Sequence, residues 1–180
     1  MKVNYTIIPE CFADTNLIET ITDSFNSYNH QKGCNKVSIT MQSPMLIDSF
    51  ALGIIDKDKH QIKYLEEFEN VAASGDLYLF KHPQKHHYII QISPALENFI
   101  LKSAEELKVN LTNFGLPNEL NLLRKTTKTP TSRNNPKLRR LFTELKNKKA
   151  PQIVTLANWI SYLKENTYDS DINELINIQS

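Results

Sequence analysis

One segment constrains the fold more than any other: Ser49-Phe50-Ala51-Leu52-Gly53-Ile54-Ile55, an almost unbroken apolar run that ends abruptly at Asp56-Lys57-Asp58-Lys59-His60. Continuous rather than alternating apolarity suits a strand buried on both faces, and such strands belong to parallel sheets covered by helices. The flanking segments fit that frame. Lys2 to Ile8 is β-branched and aromatic and stops at Pro9, which predicts a first strand. Asp14 or Thr15 can cap a helix that carries Leu17, Ile18, Ile21 and Phe25 at helical spacing. Val37 to Met41 predicts a second strand, and Pro44 opens one or two helical turns, so that Ser49–Ile55 becomes the third strand. Ile62 to Val71 has helical periodicity, and Asp76–Lys81 and Tyr88–Ile92 predict two further strands. Ser93 can cap a helix with Pro94 at its first position and Leu96, Phe99, Ile100, Ala104 and Leu107 inward. The alternation predicts an α/β domain over residues 1–110, with a mostly parallel central sheet flanked by helices.

Residues 111–180 predict a helical C-terminal extension. Pro136 suits the first turn of a helix that runs on through Lys149, with Leu138, Leu141, Phe142 and Leu145 inward. A last helix over Gln152–Lys164 uses Val154, Ala157, Ile160 and Leu163, with Trp159 at its edge. Charge marks this region off. Net charge is only +1, but residues 121–150 hold 10 Lys/Arg against the single acid Glu144, whereas residues 1–120 hold 10 against 15 Asp/Glu. An acidic body with one basic segment suits a polyanionic partner, because phosphate backbones draw affinity from counterion release. Arg124, Lys125, Lys128, Arg133, Lys137, Arg139 and Arg140 are the candidate nucleic-acid contacts, and Thr126, Thr127, Thr129, Thr131 and Ser132 add neutral donors. A solvated helix face is the competing explanation, and no base-reading motif accompanies the segment.

Other classes find little support. Two cysteines without a CxxC pair give no zinc motif. Cys11 lies beside Glu10, which raises a thiol pKa rather than activating it, so a cysteine nucleophile is set aside. His82, His86 and His87 crowd one loop with Lys81 and Lys85, where solvation is the ordinary expectation. No apolar run approaches the roughly 18 residues of a membrane span, and nothing at the N-terminus resembles a signal peptide; the expectation is a cytoplasmic protein.

Chemistry concentrates in carboxylates. Glu10 follows the first expected strand, and Asp56 and Asp58 follow the third. In an open parallel sheet the carboxyl ends of the strands line one crevice, so these acids fall at one edge, with Asp14 near the start of the first helix. Close carboxylates disfavour each other's ionisation, and a hard divalent cation, Mg²⁺ or Mn²⁺, relieves that. An Asp-x-Asp after a strand is also a common turn and helix cap. Glu97 could steady the metal ligands or take a second metal; a first-turn glutamate favoured by the helix dipole is the plainer alternative.

Ile8-Pro9-Glu10 through Asp14 and Leu17, together with Gly53-Ile54-Ile55-Asp56-Lys57-Asp58-Lys59, resemble the Toprim domain of topoisomerases, primases and OLD-type nucleases. The OLD type is the nearer likeness, through Lys32-Gly33-Cys34-Asn35-Lys36-Val37, and the resemblance covers about residues 1 to 100. Cys11 departs from the glycine that many Toprim domains have after the glutamate. The resemblance implies metal-dependent phosphoryl transfer on nucleic acid, with Glu10 in acid–base or metal work and Asp56 and Asp58, joined by Asp14, as ligands of Mg²⁺ or Mn²⁺. OLD nucleases carry an ATPase domain that this chain lacks, so the resemblance implies a separate ATPase partner or, alternatively, a non-catalytic module that binds nucleic acid or such a partner.

Overall fold

A computed structural model describes residues 3–57 and 63–178. Among the described residues five strands form one sheet: β1 (Ile7–Pro9), β2 (Ala51–Asp56), β3 (Glu69–Ser74), β4 (Leu77–Lys81) and β5 (His87–Ile92), in the order β1-β2-β5-β4-β3. β1 pairs with β2 and β2 with β5 in parallel, while β5–β4 and β4–β3 are antiparallel. Four strands therefore run one way and β4 alone runs against them. The sheet is mixed, with its parallel part on the side that holds β1, β2 and β5.

The helices are α1 (Phe12–Ile21), α2 (Cys34–Met41), α3 (Leu96–Glu106), α4 (Leu120–Thr127), α5 (Pro136–Asn147), α6 (Pro151–Asn166) and α7 (Ile172–Asn177). They divide between the two faces of the sheet. Leu52 and Ile54 of β2 and Tyr88, Ile90 and Ile92 of β5 enter a large core with Leu17, Phe99, Phe142, Leu156 and Trp159. Ala51 and Ile55 of β2 and Ile89 of β5 enter a smaller core with Val37 and Met41 of α2, Tyr64 and Phe68. Burial on both sides is why Phe50–Ile55 is apolar throughout. Residues beyond 110, from Leu111 to Leu175, share the larger core with the sheet. No helix among the described residues is long and apolar enough to cross a membrane.

Several local expectations change. Val37–Met41 lies in α2 rather than a strand, so the Asp56 strand is the second in the chain. The helix is selected by packing: a Cβ on Gly53 would stand 3.0 Å from Val37 and 3.1 Å from the Met41 sulfur. Ser38 is buried while Ile39 is 60% exposed, a helical and not an alternating pattern. Within the described part of Ile62–Val71, a 3₁₀ turn (Lys63–Glu67) leads directly into β3. α3 starts at Leu96 with Ala95 as its N-cap, so neither Ser93 nor Pro94 opens it. The helix that follows β1 is capped by Cys11, whose thiol accepts from the Asp14 N–H while the Asp14 carboxylate accepts from the Cys11 N–H. Trp159 is buried, and its Nε1–H donates to the Leu175 carbonyl at 3.0 Å. Of the loop histidines, His82 and His87 are buried and only His86 is exposed. His87 Nε2 bonds the Leu46 carbonyl at 2.8 Å, and His82 Nε2 lies 3.1 Å from Glu67, so both rings tie the β4–β5 hairpin to the α2 side.

The contact at Gly53 fixes how closely α2 approaches the sheet. Gly53→Val forces bulk between β2 and α2, and overpacking of this kind costs about 1–3 kcal/mol. The expected result is a lower urea midpoint with an unchanged slope.

Candidate functional site

The parallel strands β1, β2 and β5 end at the same edge, and their last residues are stitched together there. The Glu10 N–H continues the ladder by donating to the Ile54 carbonyl at 2.9 Å. The Asp56 N–H donates to Glu10 Oε2 at 2.9 Å, so the first carboxylate is held against the end of β2. The Lys57 N–H donates to the Ile92 carbonyl of β5 at 2.8 Å. Asp56 Oδ1 in turn accepts the Leu96 N–H at 2.8 Å, which makes Asp56 a cap for α3, supplied from a different strand. An anion there also meets the positive end of the helix dipole.

Glu10 and Asp56 line a cavity of about 300 Å³ together with Cys11, Lys57, Pro94, Ala95, Glu97, Thr127 and Lys128. Asp14 is 1% exposed; its Oδ2 is held by the Cys11 N–H, and its Oδ1 has no hydrogen-bond partner. Glu97 is buried and accepts the Thr127 hydroxyl. Glu97 is therefore part of the carboxylate cluster as well as a first-turn residue of α3. Asp58 lies outside the described residues.

The electrostatics follow from this crowding. Burial, then the charges of Asp14, Glu10 and Glu97, push the Asp56 carboxyl up to about 9, against a lowering by the Leu96 N–H. Burial pushes Asp14 up to about 7; Glu10 and Glu97 add to this, and hydrogen bonds from Cys11 oppose it. The Cys11 thiol is driven far above its ordinary range by burial and by Asp14, which leaves it inert as a nucleophile. Among the described residues, no group of three or more His, Cys, Asp or Glu side chains is arranged to hold a metal ion. The oxygen donors present suit a hard cation that takes one or two protein carboxylates and completes its shell with water and phosphate. The unpartnered Asp14 Oδ1 adds an uncompensated buried oxygen to the same cluster.

The basic segment sorts into two groups. Arg133 bonds Glu19, whose side chain is fully buried, at 3.1 Å, and so holds the 3₁₀ turn Pro130–Asn134 to α1. Asn16 strengthens that join through the Ser132 carbonyl at 2.8 Å. Arg139 lies over the Phe25 ring, Lys146 pairs with Asp23, and Lys148 pairs with Glu144. Arg124, Lys125, Lys128, Lys137 and Arg140 form no ion pair with a described carboxylate. Of these, Lys128 reaches the carboxylate cavity. Lys57 follows Asp56 directly, whereas Thr127 and Lys128, read from sequence as backbone contacts, join the carboxylates from the end of α4, more than 100 residues after β1, a distance no local pattern spans. Lys85, beside the loop histidines, lies 5.5 Å over the Tyr64 ring. No protein-family model matches the chain, and neither the curated proteins nor the solved structures contain a match.

A carboxyl whose pKa is higher in the folded than in the unfolded chain holds more protons when folded, so stability falls as pH rises between the two values. For Asp14 and Asp56 that window runs from about 4 to about 9. Without divalent cations, the melting temperature is expected to decline as pH rises through this range. Asp56→Asn keeps the acceptor for Leu96 and removes the charge, so it is expected to flatten the decline and raise the melting temperature at pH 9; a variant less stable than wild type there would contradict this electrostatic account.

Proposed function

We propose that this protein is a Toprim-like, metal-dependent phosphoryl-transfer protein acting on nucleic acid, most simply a nuclease. The observation that carries the reading is the convergence of Glu10 and Asp56, from adjacent parallel strands, on one cavity that also holds Lys57 and Lys128. Asp56 and Glu10, with Asp58 and Asp14, would hold Mg²⁺ or Mn²⁺. When bound, the cation supplies polarisation of a phosphoryl oxygen and a lowered pKa for water. Glu10 is oriented for proton transfer by the Asp56 N–H on its Oε2. Lys57 and Lys128 place positive charge where a phosphate would sit beside the carboxylates. The Glu97–Thr127 hydrogen bond fixes the end of α4, and with it Lys128, against α3.

A second reading has one observation in its favour. Glu10 and Asp56 are both engaged by backbone N–H groups in ways that serve folding, as a tie between strand ends and as a helix cap. A non-catalytic Toprim-like module that binds nucleic acid or a separate ATPase would keep those side chains as acceptors that join the strand ends to α3.

Incubation with single- and double-stranded substrates in Mg²⁺ or Mn²⁺ separates the two. Cleavage that depends on metal and falls on the order of a hundredfold or more in Asp56→Asn is the expected result. Cleavage unaffected by that substitution contradicts the mechanism, and no cleavage with any substrate favours the non-catalytic module.

A further inference from the structure

A second, larger hollow lies beside the carboxylate cavity. It measures about 700 Å³ and is bounded by Gly115, Thr126, Pro130, Thr131, Asn134 and Lys137 among others. Both cavities draw lining residues from the end of α4. Thr126 faces the larger hollow, while Thr127 and Lys128, the next two residues, line the carboxylate cavity. The C-terminal end of α4 thus contributes to both.

We propose that this hollow is the track along which the sugar–phosphate backbone of a single nucleic-acid strand passes on its way to the carboxylate cavity, an assignment that rests on the functional reading above. Three features of the walls support it. The first is charge. Lys137 enters no ion pair with a described carboxylate, although Arg133, Lys146 and Lys148 of the same segment are all paired. The second is that Lys137 is positioned. Its Nζ and Cε lie 3.3 Å from where a Cβ on Gly115 would stand, and Gly115 has φ +70°, so the glycine lets the lysine stem lie against the turn. The third is composition. Thr126, Thr131 and Asn134 offer neutral hydroxyl and amide groups, the kind that position a phosphate backbone without reading bases. None of the residues lining the hollow is aromatic, so bases gain no stacking platform there and affinity is left to contacts with the sugar–phosphate backbone. The hollow is walled by the turn at Gly115, the end of α4, the 3₁₀ turn Pro130–Asn134 and the start of α5, and a single strand, narrower and more flexible than a duplex, is the occupant proposed for it. Lys137 in the hollow and Lys128 in the carboxylate cavity give the strand one positive charge in each.

The test is fluorescence anisotropy with a labelled mixed-sequence single-stranded DNA of roughly 20 nucleotides, in EDTA, so that no metal chemistry takes part. Lys128 and Lys137 are both exposed, so alanine at either leaves the fold intact, which melting curves check. Lys128→Ala and Lys137→Ala are each expected to weaken binding about three- to tenfold and to lower the salt slope by about one. Lys148→Ala, at the far end of α5, is expected to stay within about twofold of wild type. The duplex of the same sequence is expected to bind more weakly. Wild-type affinity in both cavity variants, an equal loss in Lys148→Ala, tighter binding of the duplex, or no binding by wild type would each overturn the assignment. The two readings fail separately: strand binding that depends on Lys128 and Lys137 without any cleavage upholds the track and removes the nuclease, while metal-dependent cleavage indifferent to these lysines does the reverse.

Discussion

The Asp56 carboxylate accepts the first N–H of α3, and the Asp56 N–H donates to Glu10. Those two hydrogen bonds tie the ends of β1 and β2 to the start of α3, and much else is arranged around them. α3 follows β5, so the link closes the parallel part of the sheet at the edge where its strands end. Glu97 sits in the first turn of α3 and takes the Thr127 hydroxyl, which draws α4 and Lys128 to the same place. The cavity is thus assembled by the contacts that hold the fold together.

That economy has a physical consequence. Four acidic side chains, Glu10, Asp14, Asp56 and Glu97, share a small and largely desolvated region. Backbone N–H groups and the α3 dipole offset part of the repulsion, but Asp14 and Asp56 still keep their protons well above the ordinary carboxylate range. Burying charge without compensation is costly, and groups in that position shift their pKa or find a partner. The divalent cation proposed above would be such a partner. Deprotonation and metal uptake would then be one linked event.

Much of this edge was legible in the sequence, and the reason is local. Phe50–Ile55 is apolar throughout because both faces of β2 are covered, and Asp56 is where that cover ends. Glu10 follows β1 for the same reason. Where the sequence misled, two periodicities were compatible with the same residues. Val37 and Met41 share a face in a strand and in a helix, and only the exposure of Ile39 and the bare surface of Gly53 decide between them. β3 escaped notice because an edge strand of Glu-Asn-Val-Ala-Ala-Ser has little apolar alternation to announce it. The helix at Leu96 takes its cap from Asp56, 40 residues earlier, which no local capping rule could assign. Arg133 was grouped with the nucleic-acid contacts by charge alone, and it is the buried Glu19 that claims it. His82 and His87 were placed in solvent by their polar neighbours, although strand pairing carries them beneath Tyr64 and Phe68.

The central claim is that the carboxylates at the ends of β1 and β2 form one cation site whose occupation displaces protons. Calorimetric titration with Mn²⁺ near pH 7.5, repeated in buffers of different ionisation enthalpy, measures stoichiometry and proton release together. The account predicts one Mn²⁺ per chain, release of about one proton, and loss of both in Asp56→Asn. Absence of saturable binding, or binding in Asp56→Asn as tight as in wild type, would contradict it.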